Sequence, residues 1–219
     1  MNMKSLIVKV DPRKPDRGAL VKVAEIVKAG GVVIYPTDTV YGLGADPFNS
    51  EAVIKVYRVK RRSFRKPLPI LVSSVDYAHR IVYITPCAEK LMRAFWPGAL
   101  TLVLPKKENV PKEVSCGRES LAVRMPKHTV ALLLIELCGG CLIGTSANIS
   151  GKESPKTLRE ALLQVGSEVD AAVDAGPCPY GIPSTVVDLT GKKPTILRKG
   201  PITKRDLEEV LGEEVEVLC

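Results

Sequence analysis

Histidine is nearly absent from this chain of 219 residues, which has only His79 and His128. Aromatic residues make up 5%, too few for a surface that stacks successive bases as single-strand nucleic-acid binders do. Of the six cysteines, only Cys138 and Cys141 form a close pair. No second Cys/His pair stands at ligand spacing to complete a structural zinc site. Long apolar runs are missing too. The longest, Val130–Ile135, falls far short of a bilayer span, and the N-terminal MNMKSLIVKVDP has no signal-peptide core. These absences predict a soluble, cytoplasmic protein with reduced thiols and no membrane partner. Neither G-x-x-x-x-G-K-[ST] nor G-x-G-x-x-G occurs, so a nucleotide would need another scaffold.

What is present is ordinary for a globular protein, with 45% hydrophobic and 26% charged residues. No repeat and no linker-like stretch interrupts it, which predicts one domain over residues 1–219. Apolar runs predict strands at Ser5–Val10, Val32–Tyr35, Pro69–Val72, Leu100–Leu104, Leu121–Met125, Leu142–Thr145, Thr185–Leu189 and Thr195–Arg198, with another at Val173. Helical spacing predicts helices over Gly18–Ala29, from Ser50, from Thr85–Pro86 to Phe95, and over Thr129–Leu137. A further helix is predicted from Ser154–Pro155 to Val165, and a last one after the capping box Thr203-x-x-Asp206. The alternation predicts an α/β fold, an open twisted mixed β-sheet flanked by helices.

The net charge is +8, which points to an anionic partner without naming it. Seven cations and no acid lie between Lys55 and Lys66, leaving 8 − 7 = +1 for the rest. A solvated, RNA-adhesive patch is one reading of that run. A phosphate clamp is the other, with Lys60 as a point charge and Arg62 as a bidentate fork.

Other segments carry polar side chains directly after apolar strands, where open α/β sheets bind ligands. Thr37, Asp38 and Thr39 follow Val32–Tyr35, although they also suit a capped turn. Ser146 and Asn148 follow the 142–145 run, with Gly144 permitting close backbone approach. A nucleophilic serine is not indicated, because no G-x-S-x-G and no histidine partner is present. Arg124, near the end of an apolar strand, must meet an anion. An internal salt bridge and a substrate carboxylate both satisfy that need. Arg198 is a similar case, and Ser184 and Thr185 open another strand. Cys138-Gly-Gly-Cys141 reads as packing cysteines around a glycine stop, and both histidines as structural.

In order, the chain carries Pro36-Thr-Asp-Thr-Val-Tyr-Gly-Leu43, Lys60-x-Arg62 with Pro67-Leu68, Phe95-Trp-Pro-Gly98, Ala122-Val-Arg-Met-Pro126, Ser146-Ala-Asn148, Ser184-Thr-Val-Val187 and Leu197-Arg-x-Gly200. This ordered set resembles the YrdC-like family of threonylcarbamoyl-AMP synthases, in its single-domain form. The resemblance implies a deep, positively charged cavity and the joining of L-threonine, bicarbonate and ATP into L-threonylcarbamoyl-AMP with release of pyrophosphate. It implies threonine contacts at Thr39, Arg124, Gly144 and Ser184. ATP contacts are implied at Lys60, Arg62, Lys66, Ser120, Ser146, Asn148, Ser154 and Arg198, with Lys60 and Arg62 as the catalytic pair. Mg²⁺ is expected to ride on the ATP phosphates, with no metal ligands from the protein. The implied partners are tRNA or double-stranded RNA, bound weakly, and a downstream tRNA threonylcarbamoyl transferase. Departures from the family pattern are Ser63, Pro183, Lys199 and Leu71. Two rival functions remain: a carbamoyl-adenylate-forming module, and a noncatalytic double-stranded RNA-binding protein.

Overall fold

The computed structural model describes residues 5–219; residues 1–4, where the segment read for a leader begins, lie outside the described residues. The strands are β1 (Leu6–Lys9), β2 (Val33–Tyr35), β3 (Gly42–Gly44), β4 (Ile70–Val72), β5 (Leu100–Pro105), β6 (Ser120–Arg124), β7 (Cys141–Ile143), β8 (Thr145–Ser146), β9 (Ala171–Asp174), β10 (Thr185–Asp188), β11 (Thr195–Arg198) and β12 (Glu216–Val217). The α-helices are α1 (Arg17–Lys28), α2 (Ser50–Lys60), α3 (Val75–Ile81), α4 (Pro86–Phe95), α5 (Lys112–Ser115), α6 (Thr129–Leu137), α7 (Leu158–Val165) and α8 (Lys204–Leu211).

The α/β class holds, but the strands form two mixed sheets rather than one. Their orders are β1-β9-β2-β3-β8 and β12-β11-β10-β5-β6-β4-β7. The run predicted as one strand over 142–145 is where the sheets divide. Cys141–Ile143 pairs with β4, and Thr145–Ser146 pairs with β3 in the other sheet. Gly144 makes the crossing, its N–H donating to Pro69 O at 2.9 Å.

β2 is apolar throughout because both its faces are covered. Val33 and Tyr35 pack with α1 and α6, whereas Val32 and Ile34 enter the larger core with α2, α4 and strands of both sheets. β4 divides in the same way, Ile70 and Val72 to one side and Leu71 to the other.

Several helix ends follow their caps. Thr85 caps α4 ahead of Pro86, and the Thr203/Asp206 capping box opens α8. The His128 side chain accepts from Ala131 N–H and caps α6, so this histidine is structural. Gly139 and Gly140, both at positive φ, end α6 before Cys141 enters β7. Two starts differ from expectation. Asn49, not Ser50, caps α2. α7 begins at Leu158 behind Thr157, because Pro155 O accepts from Tyr41 N–H and holds that stretch along the loop after β2. Among the described residues no helix is long and apolar enough to cross a membrane.

Candidate active site

A cavity with about 840 Å³ of empty space, open to solvent at its mouth, is lined by residues of β4, β5, β6, β10 and β11 of the larger sheet and of β3 and β8 of the smaller one. The loop after β2 forms one wall. Its Thr37 Oγ1 accepts from the N–H groups of Thr39 (3.1 Å) and Val40 (3.2 Å) and donates to Val40 O at 2.7 Å. The turn-capping expectation for this segment is therefore met, and it holds Thr37 and Thr39 against the cavity.

Arg124 comes from the end of β6 and is 5% exposed. Its Nε donates to Gly98 O (2.8 Å), NH1 to Thr39 Oγ1 (2.8 Å) and NH2 to Asp38 Oδ1 (2.5 Å). The internal salt bridge is thus realised. It does not exhaust the guanidinium. Of five N–H groups three are committed, so two, one on each terminal nitrogen, are without a partner among the described residues. Burial pulls the Arg124 pKa down, opposed by Asp38. Gly98 reaches Arg124 through the Phe95–Gly98 turn, whose Trp96 Nε1 donates to Leu100 O at 2.8 Å.

Arg198, on β11, donates from Nε to Ser184 O (2.9 Å) and from NH2 to Ser184 Oγ (3.0 Å). Ser184 Oγ also meets Thr101 Oγ1 at 2.7 Å. Burial of the Arg198 guanidinium, then the charges of Arg124 and Arg62, depress it to about 10. Arg62 donates to Lys66 O (3.0 Å) and Pro67 O (2.9 Å), and burial lowers its pKa. All three arginines line the cavity, with no acid among the lining residues.

Lys60 and Arg62 part company at the end of α2. Arg61 takes a left-handed conformation, φ 49°. Arg61 N–H bonds to Arg58 O and Arg62 N–H to Tyr57 O, a Schellman closure that stops the helix after Lys60. Lys60, 1% exposed, turns inward instead of lining the cavity. Its Nζ donates to Ser146 O, to Asn148 O (2.8 Å) and to Asn148 Oδ1 (3.3 Å). Burial and the Arg62 charge lower its pKa to about 7, against three carbonyl oxygens that favour the proton.

Ser146 lines the cavity and donates to Asn148 Oδ1 at 2.5 Å, while Asn148 Nδ2 secures Ile149 O and Lys152 O. Gly144 also lines the cavity, close against Leu71. The structure thus gathers Thr39, Arg62, Arg124, Gly144, Ser146, Ser184 and Arg198. Lys60 and Asn148 stand behind that wall, and Lys66, Ser120 and Ser154 are not part of it. Ser154 lines a smaller, separate recess with Lys156 and Glu160.

Sequence reasoning passed over Asp38 as the counter-ion of Arg124, the Gly98 carbonyl and Thr101. Their motifs were visible; their convergence needed the fold. The chosen residues of the charge run disperse likewise. Lys55 pairs with Asp170 at 2.6 Å, and Arg58, Arg61, Arg65 and Lys66 are exposed.

The sequence profile of the Sua5, YciO and YrdC proteins, described as "Telomere recombination", matches residues 25–200. A protein of Mycobacterium tuberculosis is 40% identical over 209 residues, 95% of each chain. The threonylcarbamoyl-AMP synthase of Pyrococcus abyssi is 40% identical over 191 residues, 87% of this chain and 56% of the relative. The crystal structure of P. abyssi Sua5 complexed with L-threonine superimposes with a TM-score of 0.93 at 37% identity, covering 97% of this chain and 62% of that one. This chain therefore spans less than two thirds of the archaeal protein.

Proposed function

The chain belongs to the Sua5, YciO and YrdC family, and on that footing we propose that it is a threonylcarbamoyl-AMP synthase. It joins L-threonine, CO₂ from bicarbonate and ATP into L-threonylcarbamoyl-AMP, releasing pyrophosphate. The observation that carries this reading is the meeting of Arg62, Arg124 and Arg198 on one cavity with no acid among its lining residues. Arg62 and Arg198 bring charge that no acid offsets, and Arg124, paired with Asp38, still offers two N–H donors, so the lining suits two anionic substrates.

In this reading the two uncommitted N–H groups of Arg124 take the threonine carboxylate, beside Thr39, Ser184 and the Gly144 backbone. Arg62, Ser146 and Arg198 hold the triphosphate, with Lys60 and Asn148 supporting Ser146 from behind. Ser120, Ser154 and Lys66 would reach ATP only at its margins. The threonine amine takes up CO₂, giving a carbamate and a proton. A carbamate oxygen attacks the α-phosphorus, the bond from that phosphorus to the bridging oxygen breaks, and pyrophosphate leaves. The carbamate is already anionic, so the lack of histidine in the cavity wall is no obstacle. Alignment of the two anions and neutralisation of the leaving group do most of the work, through Arg62 and Arg198.

Magnesium fits here only as part of the ATP substrate. Among the described residues there is no group of three His, Cys, Asp or Glu able to hold a metal. The labile product is suited to a transferase that modifies tRNA. Exposed Arg58, Arg61, Arg65 and Lys66 flank the Arg62 loop and offer weak, salt-dependent contact to that RNA.

The decisive measurement is pyrophosphate release with MgATP and bicarbonate, with and without L-threonine. Release that depends on L-threonine supports the reading. Threonine-independent release, or none, overturns it; a requirement for carbamoyl phosphate would instead mark a carbamoyl-adenylate-forming module.

A further inference from the structure

Three guanidinium groups sharing one cavity pose a sorting problem. Each binds a phosphoryl group as readily as a carboxylate, and a triphosphate could extend across all three. What differs among them is their company. Arg62 and Arg198 spend their internal hydrogen bonds on uncharged oxygens: Lys66 O and Pro67 O for one, Ser184 O and Oγ for the other. Arg124 alone is paired with an acid, Asp38. Both side chains are buried, 6% and 3% exposed. Asp38 Oδ2 has no hydrogen-bond partner among the described residues, so Arg124, through Oδ1, is the one side chain there seen to offset its charge.

We propose that Asp38 is a specificity-determining residue that reserves Arg124 for the amino-acid carboxylate by excluding phosphate groups from it. This rests on the synthase reading and deepens it. The Arg124–Asp38 pair is neutral as a unit but still offers two N–H donors. A singly charged carboxylate can take those donors at modest desolvation cost. A phosphoryl group carries more charge, its desolvation cost grows with that charge, and a neutral pair returns little of it. The same group is drawn to Arg62 and Arg198, whose charges are uncompensated. Asp38 thereby sets where the triphosphate stops, leaving the threonine position empty for its own substrate.

The test is calorimetric titration of the whole protein with inorganic pyrophosphate, in wild type and Asp38→Asn, with and without L-threonine. Removing the Asp38 charge should tighten pyrophosphate roughly tenfold or more and make it compete with threonine. A gain of binding is a result that loss of structure cannot imitate. Unchanged or weaker pyrophosphate binding in a folded Asp38→Asn protein would overturn the proposal. Should that variant not fold, wild type still decides. Saturating pyrophosphate should leave threonine affinity intact, and competition between them would overturn the assignment. Failure of the synthase reading looks different, because wild type would then show no threonine-dependent pyrophosphate release at all.

Discussion

A β-carbon on Gly144 would stand 2.2 Å from Cγ of Leu71 and 2.8 Å from both its δ-carbons. The two residues face each other where the chain passes from one sheet to the other, and both line the cavity. Gly144→Ala should therefore cost about 1–3 kcal/mol through overpacking. In urea denaturation, Leu71→Ala introduced with it should relieve part of that loss. Strictly additive losses would show that the contact does not govern this crossing.

In the proposed reading Arg62 serves nucleotide binding more than the fold, since its internal bonds go only to two carbonyls of its own loop. Arg62→Ala should weaken ATP roughly 10- to 150-fold, from about 1.5–3 kcal/mol for a charge-assisted hydrogen bond. Its melting temperature and its affinity for L-threonine should match wild type. Turnover close to wild type would remove Arg62 from the site.

For Arg124 the order is reversed. Arg124→Ala leaves the Asp38 carboxylate buried and unpaired, at a cost of about 3–5 kcal/mol. Chemical denaturation reads that loss. Arg124→Lys keeps the charge but not the fork, and in calorimetry it should impair L-threonine more than ATP. Equal damage to both ligands would contradict the division of the cavity.

Much of this arrangement was legible in the sequence, because its parts are local. Strand ends followed by hydroxyls, the Thr203/Asp206 cap, and Arg124 on an apolar strand are features of neighbouring residues. What escaped was relational. The 142–145 run looks like one strand, since Leu142 and Ile143 lead without a break into the β-branched Thr145, yet hydrogen-bond partners 75 and 102 residues upstream — Pro69 and Leu43 — divide it. Lys60 and Arg62 look equivalent in a charge run. Only the left-handed Arg61 turns one inward and the other to the cavity. Asp38 resembles an ordinary turn residue until Arg124 arrives from β6.

Lys60 gives a pH test with a definite sign. Burial, and then the Arg62 charge, lower its folded pKa to about 7 from the ordinary lysine value of 10.5. Between those values the unfolded chain binds more protons than the folded one, so this group's contribution to stability rises with pH. Lys60→Met should lose that rise. The stability advantage of wild type over the variant should grow from about pH 7 to about pH 9 in parallel urea titrations. A difference that is flat over this interval would mean that Lys60 keeps its proton throughout, held by the Ser146 and Asn148 oxygens.

The unequal depth of the arginines bears on kinetic order. Arg124 is 5% exposed, Arg62 is half-buried, and Arg198 is exposed as a whole residue with its guanidinium partly covered against Ser184. A nucleotide spanning Arg62 and Arg198 would roof over whatever rests on Arg124. We therefore expect a compulsory sequence, with the amino acid entering before the whole nucleotide. Initial-rate patterns with the two substrates varied together would reveal it, and random addition would mean that threonine has its own way in.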